Sequence, residues 1–246
     1  MSLEMLRMAV RSGTTDIIAT PHVNRRGIIP LWSEITDKAA LLQQKAKAAD
    51  IDINIYIGAE IGFDYDALRF IKEGCRDYCL AGSRYILVEF NEQSQPDQAE
   101  NLLYELMLRG FVPVLAHPER YDRIMAHPRR VIEWMNQGTL IQCNTGSFIG
   151  YFGRSVQKRA DGLLYNHMVT FLGSDAHCLE SRNTDMRKAG KAIHKLDNGR
   201  VNTMAACEHN AVKVLHDKVL YPELPDQWKE PHSGFLSRFL HIFPLT

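Results

Sequence analysis

The sequence predicts an α/β protein whose parallel sheet curls into a barrel-like form, and two features lead to this prediction. Short apolar runs rich in β-branched residues alternate with helix-like segments along most of the chain. Most of these runs lack polar residues at alternate positions, which is typical of strands covered by helices on both faces. Because a strand, a helix and a second strand form a right-handed βαβ unit, the strands are expected to be parallel.

Six strands and three helices support this fold in chain order. The strands are predicted over residues 16–20, 53–60, 84–90, 112–117, 139–144 and 168–175. The helices are predicted over 34–48, from Pro96 to a stop at Gly110, and over 129–137 before Gly138, because glycine commonly follows the last helical turn. We therefore expect one barrel domain over residues 1–220 and a C-terminal extension over residues 221–246.

The composition is that of a globular protein and disfavours several functional classes. The 246 residues carry 29 basic and 29 acidic side chains, a formal net charge of zero, which disfavours a nucleic-acid partner. No run approaches the roughly 20 apolar residues of a membrane span, and five scattered cysteines predict a reduced, cytoplasmic protein. The apolar end of the extension, residues 232–246, either docks on its own domain or makes peripheral contact with a membrane or a partner.

Side chains that bind metals recur where the predicted strands end. The carboxyl ends of parallel strands open on one face of a barrel, so residues far apart in the sequence are expected to meet there. Histidine, glutamate and aspartate without a cysteine cluster suit Zn, Mn, Fe or Mg. The candidate ligands at these ends are His22, Glu60, Glu89, His117, Asp175 and His177, with Asn144 beside them.

The same residues also have purely structural interpretations. His22 is equally compatible with a loop cap, and Glu89 with a buried ion pair to an arginine, because an ionised carboxylate at a buried strand end needs a partner. Arg120 and Arg182 follow two of the strands, and their guanidinium groups suit a phosphate. The alternative is that both arginines form surface ion pairs with neighbouring glutamates.

Five segments of the sequence resemble a known superfamily. They are Ala19-Thr-Pro-His22, Gly58-Ala-Glu60, Arg84-Tyr-Ile-Leu-Val-Glu-Phe90, Pro113-Val-Leu-Ala-His-Pro-Glu-Arg120 and Ser174-Asp-Ala-His177. Together they resemble the polymerase and histidinol phosphatase (PHP) superfamily. Within it, the nearest branch is the manganese-dependent bacterial protein-tyrosine phosphatases of capsule and exopolysaccharide loci. The resemblance runs from about residue 3 to residue 215.

This resemblance implies a distorted TIM-like (β/α)7 barrel with up to three divalent ions, most often Mn, with Fe, Zn or Mg as the other choices. It implies metal ligands at His22, Glu60, Glu89, His117, Asp175 and His177. It implies that Arg120 and Arg182 bind the phosphate, and it leaves open whether His22 or His177 donates a proton instead of binding metal. The implied substrate is the phosphotyrosine tail of a membrane-associated tyrosine kinase, at the inner face of the membrane.

One departure from the resemblance carries its own expectations. The His-x-His strand and the Asp-Asp-Gly loop that open the superfamily's barrel have no counterpart in this sequence. We therefore expect a barrel lacking its first strand, with six core strands, and partial metal occupancy that favours the site of Glu60, Glu89 and His117. Weak activity is expected, and the exposed strand edges invite pairing with another chain, such as a second copy.

Two other functions remain open at this point. A phosphatase acting on histidinol phosphate, or on another small phosphomonoester, shares the fold and the metal chemistry. A metal-poor, non-catalytic binding subunit is the second alternative.

Overall fold

The computed structural model describes residues 1–197, 202–222 and 224–231. Its eight strands are short. They are β1 (Asp16–Ala19), β2 (His22–Val23), β3 (Asn54–Ile57), β4 (Glu60–Gly62), β5 (Tyr85–Glu89), β6 (Val112–Ala116), β7 (Leu140–Asn144) and β8 (Phe171–Gly173). Its helices are α1 (Ser2–Arg11), α2 (Trp32–Ala48), α3 (Pro96–Leu108), α4 (Asp122–Met125), α5 (Pro128–Gln137), α6 (Arg154–Tyr165), α7 (Arg187–Asp197) and α8 (Thr203–Leu215).

Every strand pairing is parallel, as the alternation of strands and helices predicts. Six strands form one sheet in the order β2-β4-β5-β6-β7-β8, and β1 pairs with β3 in a separate two-stranded ladder. Residues of β5 illustrate why the central runs are apolar, because Ile86, Leu87 and Val88 are all buried. Helices α3 and α5 end where glycine was expected to stop them, with Gly110 and Gly138 both at positive φ.

The prediction of single strands over 16–20 and 53–60 is wrong in its detail, because each run breaks into two strands. Pro21 separates β1 from β2 and has no N–H for a ladder, although its carbonyl accepts a hydrogen bond from the Glu60 amide at 3.1 Å. Gly58 separates β3 from β4, and a Cβ there would lie 3.1 Å from the backbone of Leu80. As a result, His22 and Glu60 open short second strands instead of following long ones, and they are direct neighbours in the ladder.

The sheet is curled but open within the described residues. Strands β2 and β8 are its two outer strands. The segments beside these strands nevertheless approach each other at the carboxyl end, where the rings of His22 and His177 have centroids 5.6 Å apart. The architecture is therefore a parallel half-barrel of the TIM-like kind, with one rim at which loops from both outer strands meet.

Part of the C-terminal extension packs on the barrel. The ring of Trp228 lies against Gly162 of α6, where a Cβ would come within 2.9 Å of the indole. The side chain of Asn166 closes this contact, accepting a hydrogen bond from the Lys229 amide at 2.8 Å and donating one to the Lys229 carbonyl at 2.9 Å. Residues 232–246, for which docking on the domain and peripheral contact with a membrane or partner were both left open, lie outside the described residues. None of the described helices has the length and apolar content to cross a membrane.

Candidate active site

Two histidines and two glutamates form a compact cluster at the rim of the sheet. Nε2 of His117 lies 2.7 Å from Oε1 of Glu60 and 3.7 Å from Oε2 of Glu89. Nδ1 of His22 lies 3.1 Å from Oε1 of Glu89 and 3.7 Å from Oε2 of Glu60. Each carboxylate is thus placed between two imidazoles, and His22, Glu60 and Glu89 offer ligand atoms within 4.8 Å of one another.

Adjacent strands deliver these side chains. Glu60 begins β4, Glu89 ends the neighbouring β5, and His117 follows β6, the next strand in the sheet. His117 leaves its strand in the left-handed region, at φ 38° and ψ 53°, a conformation that costs a residue with a Cβ roughly 1–2 kcal/mol. The following turn of Pro118–Arg120 then carries Arg120 over the rim.

The charges in this cluster hold one another in their ionised forms. Contact with the Glu89 carboxylate is the largest influence on His22 and, with the charge of Glu60, raises the pKa of the imidazole against the opposing effect of burial. Burial is the largest influence on Glu89 and acts to raise its pKa. The hydrogen bond from His22, with the charges of His22, His117 and Arg25, outweighs burial and lowers it. Glu89 is therefore held as a carboxylate against His22.

A second cluster is centred on Asp175, which follows β8. Oδ2 of Asp175 accepts a hydrogen bond from Nδ2 of Asn144 at 2.7 Å, lies 3.5 Å from a guanidinium nitrogen of Arg120, and pairs closely with Arg182. Nε of Arg182 also donates to the backbone carbonyl of Asp175 at 3.1 Å. Asp175, like His117, has positive φ, so both turns at this rim carry backbone strain.

His177 connects the two clusters. Its Nδ1 lies 3.0 Å from the Asp175 carbonyl oxygen and 3.5 Å from Oδ1 of the same residue, while its ring faces that of His22. The structure thus brings all eight sequence-predicted residues to one rim. Both arginines face Asp175 instead of forming the surface ion pairs considered above. Within the described residues Glu89 lies against imidazoles, with no arginine in direct ion-pair contact.

Four residues at this rim were missed from the sequence. Arg25 places a guanidinium nitrogen 2.6 Å from Nε2 of His22. Glu119 is fully buried and accepts hydrogen bonds from the Asn144 amide at 2.9 Å and from a serine hydroxyl at 2.7 Å. Phe152 lies under both arginines, and the Phe90 amide donates to the hydroxyl of Tyr121 at 3.1 Å. Their positions in loops gave no periodic signal, although the adjacency of Glu119 to Arg120 marked the turn.

The four-residue cluster fits a divalent metal. Two carboxylates lie side by side with only imidazoles between them. A bound cation would stabilise this arrangement, because it would offset the repulsion between the two like charges. Nε2 of His117 and Nδ1 of His22 both face the carboxylates of Glu60 and Glu89, so each imidazole presents a nitrogen where an ion would bind. Mixed histidine and carboxylate donors suit the Mn, Fe and Zn class of ions.

The fold and this rim together identify the class. The chain belongs to the family described as "Capsular polysaccharide synthesis, CpsB/CapC", whose family model matches residues 1–216. It is 30% identical over 228 residues to the tyrosine-protein phosphatase YwqE of Bacillus subtilis, covering 93% of this chain and 89% of that protein. It is 32% identical over 225 residues to the tyrosine-protein phosphatase CpsB of Streptococcus pneumoniae, covering 89% and 91%.

A solved structure agrees with these sequence relatives. The chain superposes with a TM-score of 0.79 and 29% identity, covering 92% of both chains, on a structure from a study of YwqE and CpsB. That study describes the two proteins as "unique metal-dependent tyrosine phosphatases". The chain therefore shares its fold with a protein from a study of metal-dependent tyrosine phosphatases.

Proposed function

We propose that this chain is a metal-dependent protein-tyrosine phosphatase that acts in capsular or exopolysaccharide synthesis. The observation that carries the proposal is the meeting of a histidine and carboxylate cluster with two arginines at one rim. The former suits divalent ions, and the latter suit a phosphate. Relatives that match about nine-tenths of this chain are named tyrosine-protein phosphatases, which supports the phosphotyrosine substrate.

The ligands that we propose for the metal are His22, Glu60, Glu89, His117, Asp175 and His177. Manganese is the ion we expect from the resemblance, with iron, zinc or magnesium as chemically suitable alternatives. Such ions, when bound, would add positive charge beside the phosphoryl oxygens and would lower the pKa of a bound water to about 7. The Glu60 and Glu89 side chains, each placed between two imidazoles, would hold these ions at the rim.

Arg120 and Arg182 bind the phosphoryl oxygens in this proposal. Each guanidinium donates through a planar fork that matches two phosphate oxygens, and the charge on those oxygens is stabilised as the phosphorus–oxygen bond breaks. In the structure both arginines contact the Asp175 carboxylate, so binding of phosphate exchanges one anionic partner for another. The arginines therefore need no large movement to engage the substrate.

The tyrosine leaving group limits how much acid catalysis the site must supply. A phenol has a pKa near 10, well below that of an alcohol, so the departing oxygen needs only one modest proton donor. His22 and His177 are the two candidates, because their ring centroids lie 5.6 Å apart at this rim, and the one that donates the proton would not bind metal. Variants of each, compared on phenyl and alkyl phosphates, separate the roles: loss confined to alkyl phosphates identifies the donor.

A test of the arginine role compares Arg120→Ala with Arg129→Ala. Arg129 lies exposed on α5 and serves as the matched control. We expect Arg120→Ala to lower kcat/KM for phosphotyrosine by about 100-fold, because a charge-assisted bidentate contact is worth roughly 2–3 kcal/mol. Metal content should stay unchanged in both variants. Equal loss of metal and activity in Arg120→Ala would contradict a phosphate-binding role.

The proposed protein substrate is the phosphotyrosine tail of a membrane-associated kinase. A cleft of about 290 Å³ adjoins Arg120 and is lined by Glu92, Gln93, Asp122 and Arg123, which gives residues beside the phosphotyrosine a polar surface to contact. Turnover of phosphotyrosine peptides should exceed that of histidinol phosphate by at least tenfold. The reverse preference would assign the chain to small phosphomonoesters instead.

We also propose that the barrel is of the PHP type and that its first strand is missing from the described residues. The support is the open sheet, whose outer strands β2 and β8 lack a partner on one side among the described residues. Elemental analysis of the purified chain should find less than three ions, retained best by Glu60, Glu89 and His117. Three fully bound ions would overturn the missing-strand proposal, and a chain that binds none would support a non-catalytic binding subunit.

The location that we propose is cytoplasmic, with recruitment to the membrane through residues 232–246. Deleting those residues should reduce association with anionic liposomes or with the kinase while leaving hydrolysis of a small phosphate ester intact. Unchanged association would instead favour the alternative that this segment docks on its own domain. Sedimentation of the same two proteins tests the homo-oligomer that the open strand edges favour.

A further inference from the structure

The two arginines proposed to bind phosphate share one aromatic support. The guanidinium carbon of Arg120 lies 5.0 Å from the centroid of the Phe152 ring, and that of Arg182 lies 5.7 Å from the same centroid. Both distances are within the roughly 6 Å range of a cation–π contact. The uncharged ring of Phe152 therefore contacts both guanidinium groups, although Arg120 and Arg182 belong to different loops.

The order of the strands explains why one ring reaches both arginines. Arg120 follows β6, Arg182 lies in the loop after β8, and Phe152 lies in the loop after β7. Because β7 is between β6 and β8 in the sheet, its loop rises between the other two. The central loop therefore lies next to both of the others.

The ring itself is held from its other sides. Gly146 lies beneath it, where a Cβ would come within 3.4 Å of a ring carbon. The ring of Tyr151 meets it edge-on, with centroids 5.1 Å apart and planes at 83°. The backbone amide of Tyr151 also bonds to the Gly146 carbonyl at 3.0 Å. Phe152 is therefore a fixed surface on which side chains with mobile ends can rest.

Phe152 and Asp175 hold the arginines in different ways. Asp175 is an anion, so it competes with phosphate for the same N–H donors. An aromatic face attracts the cation through its quadrupole without occupying those donors or cancelling the charge. We infer that Phe152 positions Arg120 and Arg182 for phosphate, keeping both guanidinium groups at the rim when Asp175 is no longer their partner. This inference rests on the phosphate-binding role proposed for the arginines.

The experiment measures binding of inorganic phosphate to the manganese-loaded protein by calorimetry, so that no turnover is required. Phe152→Leu keeps apolar bulk but removes the π face, and we expect it to weaken binding about 5- to 30-fold, the effect of one or two cation–π contacts. Phe152→Tyr keeps the face and should stay within about twofold of the original protein. Tyr104→Ala, at an exposed position of α3, tests whether any lost aromatic ring has this effect and should also stay close to the original protein.

A double-mutant cycle separates positioning from general damage to the loop. If Phe152 acts through the arginines, the penalty of Phe152→Leu should shrink at least threefold when Arg120→Met is already present, because coupled residues are not additive. An unchanged penalty would overturn the inference. So would a Phe152→Leu protein that binds phosphate normally but phosphotyrosine poorly, since the ring would then contact the substrate. If Arg120→Met itself leaves phosphate binding intact, the proposed role of the arginines fails instead.

Discussion

Asp161 on α6 should make the stability of this protein depend on pH. Its side chain is buried, with the residue 2% exposed, and Oδ1 has no hydrogen-bond partner among the described residues. Burial raises the pKa of this carboxyl from 3.8 to about 7, because a low-dielectric surrounding disfavours the charged form. The folded protein therefore holds a proton on Asp161 that the unfolded chain releases above about pH 4.

The sign and size of the effect follow from that difference. When folding raises the pKa of a carboxyl, the stability that this group contributes is fully present below its pKa in the unfolded chain. That stability is lost as the pH rises to the pKa of the group in the folded protein. Each pKa unit corresponds to about 1.4 kcal/mol. Compared with a protein that has a permanently neutral side chain at this position, the free energy of unfolding should therefore be lower by about 4 kcal/mol at about pH 8. At about pH 5 the difference should be roughly 1–2 kcal/mol.

Urea denaturation of Asp161→Asn at these two pH values measures this difference. The amide is neutral at both, so its free energy of unfolding relative to the original protein should increase by roughly 2–3 kcal/mol from the lower to the higher pH. A buried amide without a partner has its own cost, but that cost does not titrate. Asp37→Asn, on the exposed face of α2, is the control. A pH-independent difference for Asp161→Asn would refute the reasoning.

Two further substitutions test contacts that support the rim and the extension. Glu119→Ala should lower the free energy of unfolding by about 3 kcal/mol, since the Asn144 amide and the Ser147 hydroxyl lose a charged acceptor. Thermal unfolding checks this, and a change below about 0.5 kcal/mol would contradict it. Gly162→Ala should displace the indole that lies 2.9 Å from the added Cβ and red-shift the emission of Trp228. Unaltered emission would show that the extension is not packed there in solution.

The sequence predicts the strands and helix ends well, because these depend on local patterns. Four apolar residues in a run, Tyr85 to Val88, identify β5, and Gly138 at φ 120° ends α5 as expected. The candidate ligands could be found because each stands beside a strand end, and parallel strands bring their carboxyl ends together. The breaks at Pro21 and Gly58 were missed, although both residue types disrupt strands. An apolar run leads up to each break, so the sequence does not show that the pairing changes from the β1–β3 ladder to the β2–β4 ladder.

The loop residues that complete the rim could not be predicted, and the reason is geometric. Phe152 has no pattern of its own, and its contact with two arginines depends on the rise of three loops from neighbouring strands. Arg25 likewise reaches His22 through a local turn in which Asn24 has a positive φ of 60°. Such contacts depend on loop conformation, to which hydrophobic periodicity is insensitive.

The scattered origin of the rim residues has a consequence for how the protein comes to function during its synthesis. Its ligands and arginines are drawn from His22 at one outer strand to Arg182 beyond the other. Contacts at such separations form late, because long stretches of chain must be ordered before they close. A nascent chain that has emerged only as far as β7 carries the carboxylates of Glu60 and Glu89 but neither Asp175 nor Arg182. On the roles proposed for these residues, tight phosphate binding requires the last strand to have docked, and the protein gains activity only when folding is complete.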